Sequence, residues 1–360
     1  MRAAVLETAP GDLVIDDVAV GDVGPREVLV RTVAAGLCHS DLHFMQGLYP
    51  YPLPAVLGHE SAGVVEAVGE QVTDLAPGDH VISCVSAFCG ACRYCLTGRP
   101  YLCDKVGLTR RPDEPPRLAR DGERVFPFFD LASFAEMLLV HEHLLVKVRP
   151  DMPLDKAALI GCGVTTGVGA VLNTADVRPG DTVAVIGCGG IGLNAIQAAA
   201  LVGAGRIIAV DRLASKLAMA RTFGATDVVD GSSDDPVLAV QELTGGGVDH
   251  AFEAIGLKVT AEQAFAMLGK GGVATVIGMV PVGQRLEIDA TQLIGGKRLQ
   301  GSNMGSNRFR VDMPQYVDWY LAGKLKLDEL VSATMPLDKI NDGFATLASG
   351  QVARQLILFD

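Results

Sequence analysis

Gly187-Cys188-Gly189-Gly190-Ile191-Gly192 stands directly after the apolar run TVAVI and directly before the helix-forming stretch IGLNAIQAAALVG. In this G-x-G-x-x-G pattern each glycine has its own task. The first permits a sharp turn, the second lets the backbone approach a pyrophosphate, and the third lets the helix pack close to the strand. The helix N-terminus then offers unpaired N–H groups and a positive dipole end to phosphates. Nineteen residues after Gly192, the strand RIIAVD ends on Asp211. A carboxylate there can accept both hydroxyls of an adenosine ribose and repels a 2′-phosphate, so NAD is expected over NADP. Arg212 and Lys216, just beyond the acid, can reach the adenosine side, and Arg212 would tolerate a 2′-phosphate. The same loop also serves S-adenosylmethionine and FAD enzymes, so it does not by itself name the reaction.

The loop opens a region of α/β alternation that begins near Arg178 and requires a doubly wound parallel sheet. The first third reads differently, as short β-rich pieces (AAVLE, LVIDDVAV, EVLVRTVAAG, AGVVEAVG) separated by turn residues. The stretch 104–130 is polar, proline-rich and aperiodic and is expected to be a loop. After about Gly305 the texture changes again, through the helical VDMPQYVDWYLAGKL to the strand RQLILF. The chain has 360 residues, which suits two domains. They are expected at 1–163 with 306–360, and at 164–305. Lys+Arg 30 against Asp+Glu 42 leaves a net charge of -12, which argues against nucleic-acid or anionic-membrane surfaces as partners. No apolar run is read as reaching the roughly 20 residues of a membrane span, and no secretion signal is evident, so a cytoplasmic location is expected.

Eight cysteines in such a chain point to metal before disulfides. Cys89, Cys92, Cys95 and Cys103 fall within fifteen residues. Four thiolates saturate a tetrahedral zinc and leave no open position, so this site would be structural. An iron–sulfur cluster is the rival, but the Cys-Pro ending of ferredoxin runs is missing. Cys84 and Cys188 read as small buried residues. Cys38 in GLCHSDLH, His59-Glu60 in GHESAGVVEAVGEQV and Cys162 in GCGVTTG remain as candidates for a second, open site.

With these motifs together, the whole chain resembles the zinc-containing medium-chain alcohol dehydrogenases, whose catalytic zinc is held by two cysteines and one histidine. The resemblance implies a GroES-like β-rich catalytic domain plus a Rossmann coenzyme domain, two zinc ions per chain, and NAD. It implies that Cys38, His59 and Cys162 bind the catalytic zinc, with Glu60 as an acidic neighbour. Ser40 and His43 match the proton relay. Gly187, Gly189, Gly190, Gly192, Asp211, Arg212, Lys216, Ile277 and Met279 fall in the cofactor site, with Thr166 and Ile191 beside the nicotinamide. Arg354 matches a pyrophosphate-binding arginine, and His39 stands where some members carry one. The reaction implied is hydride transfer from a primary alcohol to NAD, and its reverse. Zinc would acidify the alcohol, and a hydroxyl–imidazole wire would carry the proton away.

The resemblance also sets Val85 in the substrate channel at a position that is often aromatic, with Leu48 and Tyr49 as an opposite wall. Aromatic residues are 5% of the chain, so a wide, aliphatic channel is expected, taking benzyl-type or longer aliphatic alcohols. Gly107 occupies the place of an arginine suited to a glutathione carboxylate. Two other readings are a thiol-dependent formaldehyde dehydrogenase and a catalytically silent, zinc-stabilised nucleotide-binding protein. A homodimer is expected, with a tetramer as the alternative: GGVATVIGMV and the later KRLQGSN lie in the α/β half, where the resemblance implies edge strands paired across a two-fold axis, and the apolar VATVIGMV should not stay an exposed edge.

Overall fold

The computed structural model describes residues 1–105 and 107–360. The chain divides into two compact units, Met1–Cys162 with Arg308–Asp360, and Gly163–Asn307.

The first unit is built on the long strand Glu27–Gly36, whose side chains are buried along most of its length. It pairs antiparallel with Ser61–Val68, Met137–His141 and the C-terminal Arg354–Leu358. The last pairing explains why the chain returns to this unit: Leu356 sits opposite Gly36 in the middle of the sheet. A second sheet, containing Arg2–Leu6, packs its apolar residues with Leu37, Phe44, Phe128, Phe134 and Phe344 into one core.

Region 104–130 is more ordered than its composition suggests. It contains the antiparallel strands Leu118–Arg120 and Glu123–Pro127, turned at Asp121 and Gly122. The strands are short and rich in arginine, so they carry little hydrophobic periodicity. Buried ion pairs compensate. Arg117 donates Nε to Glu27 at 2.8 Å, Nη1 to Asp130 at 3.1 Å and Nη2 to the Leu108 carbonyl at 2.7 Å, while Arg110 Nε also reaches Glu27 at 2.9 Å. Burial alone would raise the Glu27 pKa. The hydrogen bonds from Arg110 and Arg117 prevail and hold it at about 2.

The second unit is a six-stranded, all-parallel sheet. Its order from one edge is Asp227–Asp230, Arg206–Asp211, Thr182–Ile186, Val248–Glu253, Leu268–Val276 and Arg298–Gly301. The central strand Thr182–Ile186 is buried from Val183 to Ile186, whereas its neighbour Val248–Glu253 carries Asp249, His250 and Glu253 among its apolar residues. The edge expectation needs correction. Leu268–Val276, which carries VATV, is an inner strand, and the edge on that side is Arg298–Gly301, within the KRLQGSN stretch expected beside it. The membrane-span reading also changes. The helical stretch 154–174 is long and apolar enough to cross a bilayer by length and composition, although 83% of its most apolar window is buried inside the protein. Its apolar residues serve a core, which is why the stretch is interrupted by glycine and threonine.

Replacing Glu27 by Gln should destabilise the protein by about 3 kcal/mol at neutral pH, since its carboxyl titrates at about 2 instead of 4.5 and each pH unit is worth ~1.36 kcal/mol. Because the folded pKa is depressed, this stability is complete above about pH 4.5 and is lost as pH falls towards 2. Denaturant melts of both proteins between pH 7 and 2.5 should therefore converge on acidification; a constant gap would contradict the ion-pair account.

Candidate metal and cofactor sites

Cys38 caps the short helix His39–Met45 and fixes where the first donors point. The third helical residue, Asp41, is fully buried and accepts three hydrogen bonds: from the Cys38 N–H at 3.3 Å, the Gly58 N–H at 3.2 Å and His59 Nδ1 at 3.0 Å. With Nδ1–H committed to Asp41, the lone pair of His59 Nε2 is left for a metal. Burial opposes a charge on His59, but the Asp41 carboxylate overcomes this and raises its pKa well above the ordinary value.

Cys162 arrives from the π-helical turn Ile160–Val164, a distortion common at functional sites. Donor atoms of Cys38, His59, Glu60 and Cys162 all lie within 4.8 Å of one another, and all four residues are buried. A hydrogen bond from Cys162 pulls the Cys38 thiol down, and the same contact together with burial pushes Cys162 up. Glu60 Oε1 accepts Arg354 Nη1 at 2.9 Å, while Glu60 Oε2 is buried without a hydrogen-bond partner among the described residues. Two sulfurs, an imidazole nitrogen and an orphaned carboxylate oxygen fit a thiophilic divalent cation such as zinc.

The relay candidates share a helix. Ser40 and His43 are three residues apart on His39–Met45 and so lie on one face. Ser40 Oγ is 3.7 Å from Cys38 Sγ. His43 Nδ1 is buried without a hydrogen-bond partner among the described residues, and burial lowers the ring's pKa. Arg354 pairs with Glu60 inside the first unit, an attachment the sequence did not signal. His39 is exposed on the same helix as Ser40.

In the lobe, Cys89, Cys92, Cys95 and Cys103 bring their sulfurs within 4.8 Å of one another. Backbone N–H groups of Cys92, Cys89 and Lys105 point at the sulfurs of Cys89 at 3.3 Å, Cys103 at 3.1 Å and Cys103 at 3.2 Å, respectively. Such donors stabilise thiolates. Backbone hydrogen bonds at Cys92 lower its thiol to about 6.

In the second unit, Gly189 caps the helix Gly190–Leu201 immediately after strand Thr182–Ile186. A Cβ at Gly192 would lie 1.7 Å from the Gly187 carbonyl oxygen, whereas one at Gly189 would meet nothing within 4 Å. The third glycine is therefore a packing requirement, and the second leaves the backbone open to a ligand. Asp211 ends its strand, accepting the Cys188 N–H at 2.8 Å and the N–H groups of Arg212 at 2.7 Å and Leu213 at 3.1 Å. Lys216 and exposed Arg212 follow it, and half-buried Ile277 and Met279 follow the strand Leu268–Val276. Ile191 is half-buried in the first helical turn, and Thr166 donates its hydroxyl to Met304 Sδ at 3.4 Å.

Aromatic rings gather beside the metal group. Phe128 and Phe129 set their rings edge-on to His59, with centroids at 6.0 and 6.1 Å, and both pack on Phe44 and Tyr51. This environment is aromatic despite the low overall content. Tyr49 packs on Phe44, Leu48 is 51% exposed, and half-buried Val85 packs against the core around Val140 and Leu144. Asp41, Phe128, Phe129 and Met304 were all missed by sequence reasoning. Only Asp41 carried a signal, as an acid at the third position after a capping residue.

Comparison with known proteins gives concordant results. Residues 24–151 match the alcohol dehydrogenase GroES-like domain, and residues 190–322 match the zinc-binding dehydrogenase family. The chain is 39% identical to an alcohol dehydrogenase class-3 from Myxine glutinosa, over 99% of this chain and 97% of that protein. It is also 39% identical to an S-(hydroxymethyl)glutathione dehydrogenase from Haemophilus influenzae, over 99% of this chain and 96% of the relative. The crystal structure of benzyl alcohol dehydrogenase from Acinetobacter calcoaceticus superposes with a TM-score of 0.94 at 36% identity, covering 100% of this chain and 99% of that one.

Asp41→Asn should weaken metal binding at the buried group about 10–100-fold, as loss of a histidine's carboxylate partner does elsewhere. Chelator competition should show this metal leaving first while the lobe metal stays. Equal retention of both would mean that Asp41 does not orient His59.

Proposed function

The chain belongs to the zinc-containing medium-chain alcohol dehydrogenase family, and from that premise we propose that its substrates are bulky primary alcohols, benzylic or long-chain aliphatic, and their aldehydes. It is an NAD-dependent zinc alcohol dehydrogenase. The observation that carries the site reading is the convergence of Cys38, His59, Glu60 and Cys162 donor atoms within 4.8 Å in a buried place. Cys38, His59 and Cys162 hold one zinc with Glu60 beside it, and the four lobe cysteines hold another, two per chain.

Bound there, zinc supplies the positive charge that acidifies the alcohol hydroxyl, and NAD accepts the hydride. The chain's own residues do the rest. Ser40 takes the proton and His43, kept neutral by burial, accepts it from Ser40 and passes it to solvent. Asp41 keeps His59 in its metal-binding tautomer. The Gly187–Gly192 loop and the helix behind it receive the pyrophosphate, and His39 and Arg354 of the first unit are proposed as further phosphate partners. Asp211 receives the ribose, flanked by Lys216 and Arg212, and its charge favours NAD over NADP. Thr166, Ile191, Ile277 and Met279 bracket the nicotinamide. Cysteines that gather around metal instead of pairing as disulfides suit a reducing, cytoplasmic compartment.

The aromatic rings beside His59 and the likeness to a benzyl alcohol dehydrogenase support a benzylic substrate. The name of the Haemophilus influenzae relative, S-(hydroxymethyl)glutathione dehydrogenase, favours the competing reading, a thiol-dependent formaldehyde dehydrogenase. Against it, Gly107 has φ of 78°, in the left-handed region that an arginine adopts only at a cost.

The test is NADH formation with NAD or NADP across ethanol, butanol, hexanol and benzyl alcohol, with and without glutathione. Each buried methylene at ~0.8 kcal/mol should raise kcat/KM about fourfold, benzyl alcohol should exceed ethanol, and glutathione should be unnecessary. Val85→Phe should depress turnover of bulky alcohols and spare ethanol. Turnover of the glutathione adduct alone would overturn the substrate assignment.

A second copy is proposed along the open edge Arg298–Gly301, beside which Leu293 is 47% and Ile294 is 90% exposed. Unpaired edges with apolar neighbours are pairing surfaces. Sedimentation should give a homodimer or a tetramer built from it, and a micromolar monomer would refute the assembly.

A further inference from the structure

Thr166 is held from one side by an unusual partner. Its hydroxyl donates to the thioether of Met304 at 3.4 Å. A thioether sulfur can accept a proton but has none to give. The Thr166 proton is thereby committed, and what the oxygen offers its remaining neighbours is lone pairs.

Met304 reaches this place from a left-handed turn. Met304, Gly305 and Ser306 have φ of 48°, 66° and 48° in succession, a run that residues with a Cβ rarely enter. The turn is pinned on every side. The Gly305 carbonyl accepts Asn173 Nδ2 at 3.3 Å, Ser306 Oγ accepts the Thr174 hydroxyl at 2.8 Å, and the Met304 carbonyl accepts Asn307 Nδ2 at 2.7 Å. It also seats hard against the helical segment that carries Thr166. A Cβ at Gly305 would lie 2.3 Å from the Thr165 carbonyl oxygen, and one at Gly169 would lie 2.3 Å from the Gly305 carbonyl oxygen. With no room for either segment to shift, the sulfur and the hydroxyl meet in one geometry.

We propose that Met304 is a positioning residue that makes the Thr166 hydroxyl an acceptor only, so that this hydroxyl stabilises the cationic nicotinamide of NAD⁺ more than the neutral ring of NADH. The proposal rests on the reading of Thr166 as a nicotinamide neighbour. An oxygen with its lone pairs turned to the ligand favours a positive ring, whereas a hydroxyl free to rotate can favour either form. Leucine at 304 would keep the volume and remove the acceptor.

Calorimetric Kd values for NAD⁺ and for NADH, measured on the zinc-loaded full chain, decide the matter for the unmutated protein, Met304→Leu, Thr166→Val and the double variant. Met304→Leu should weaken NAD⁺ about 3–10-fold, the range for one hydrogen bond, and NADH less than about twofold. The double variant should bind NAD⁺ no more weakly than Thr166→Val, because both lesions remove one interaction. Equal weakening of both cofactors, no weakening, or additive losses would overturn the proposal. If Thr166→Val leaves both Kd values unchanged, the nicotinamide reading of Thr166 is what fails. Should Met304→Leu not fold, the ¹³C-methyl resonance of Met304 in the unmutated protein serves instead. A larger shift on saturation with NAD⁺ than with NADH supports the assignment, and equal or absent shifts overturn it.

Discussion

A single buried carboxylate organises the metal group. Asp41 sits in the first turn of a seven-residue helix, too short to be stable alone, and joins it to the Gly58-His59 step through three N–H donors. An ionised carboxylate with no access to water is costly unless it is fully hydrogen-bonded, and here the donors come from the residues whose positions matter. The acid thus fixes Cys38 through its backbone and His59 through its ring. Around it, two thiols and the Glu60 carboxyl face one guanidinium, Arg354, and one imidazole. Without a cation, such a set can limit its negative charge by retaining protons, and burial duly pushes Glu60 up to about 8. A divalent ion resolves the same imbalance with all the donors deprotonated.

The second unit works by absence of side chains. At Gly192 the helix is close enough to the preceding strand that a methyl group would overlap the Gly187 carbonyl, and at Gly305 and Gly169 two segments meet with no Cβ between them. These contacts set backbone positions within a few tenths of an ångström, because close-packed segments have no soft degrees of freedom. Helix N–H groups and the Asp211 carboxylate are positioned in the same way, by turns rather than by long side chains. Hydride transfer depends on orientation, so rigid backbone is a suitable material for a site that must hold a flexible dinucleotide.

Legibility in the sequence followed the range of the interaction. The dinucleotide loop and the four-cysteine lobe were readable because each is built within about fifteen residues, where spacing alone fixes geometry. Cys38, His59 and Cys162 lie far apart in sequence and became readable only through the resemblance of the motifs around them. Strands Leu118–Arg120 and Glu123–Pro127 were not readable. Their register depends on Arg110 and Arg117 reaching Glu27, 83 and 90 residues away, and no local pattern encodes such partners. The inner position of Leu268–Val276 was hidden for a similar reason, since the strand that covers it comes after an intervening excursion of 21 residues, 277–297.

The aromatic surroundings of His59 show why composition is a poor guide to a binding site. A chain with 5% aromatic residues can still collect Phe44, Tyr49, Tyr51, Phe128 and Phe129 in one cluster, because Phe44 ties the rings of two distant segments together. Phe129 adopts φ 50° and ψ 32°, a left-handed conformation that costs an L-residue about 1–2 kcal/mol. Phe128 beside it is fully buried, whereas Phe129 packs on the edge of the core and stays half-exposed. A half-exposed ring in a disfavoured conformation, edge-on to the His59 imidazole, has one face packed and another free to meet a ligand. Under the proposed function, an aromatic alcohol would gain ring contacts there that ethanol cannot make, a difference in specificity that leaves the chemistry shared by the family untouched.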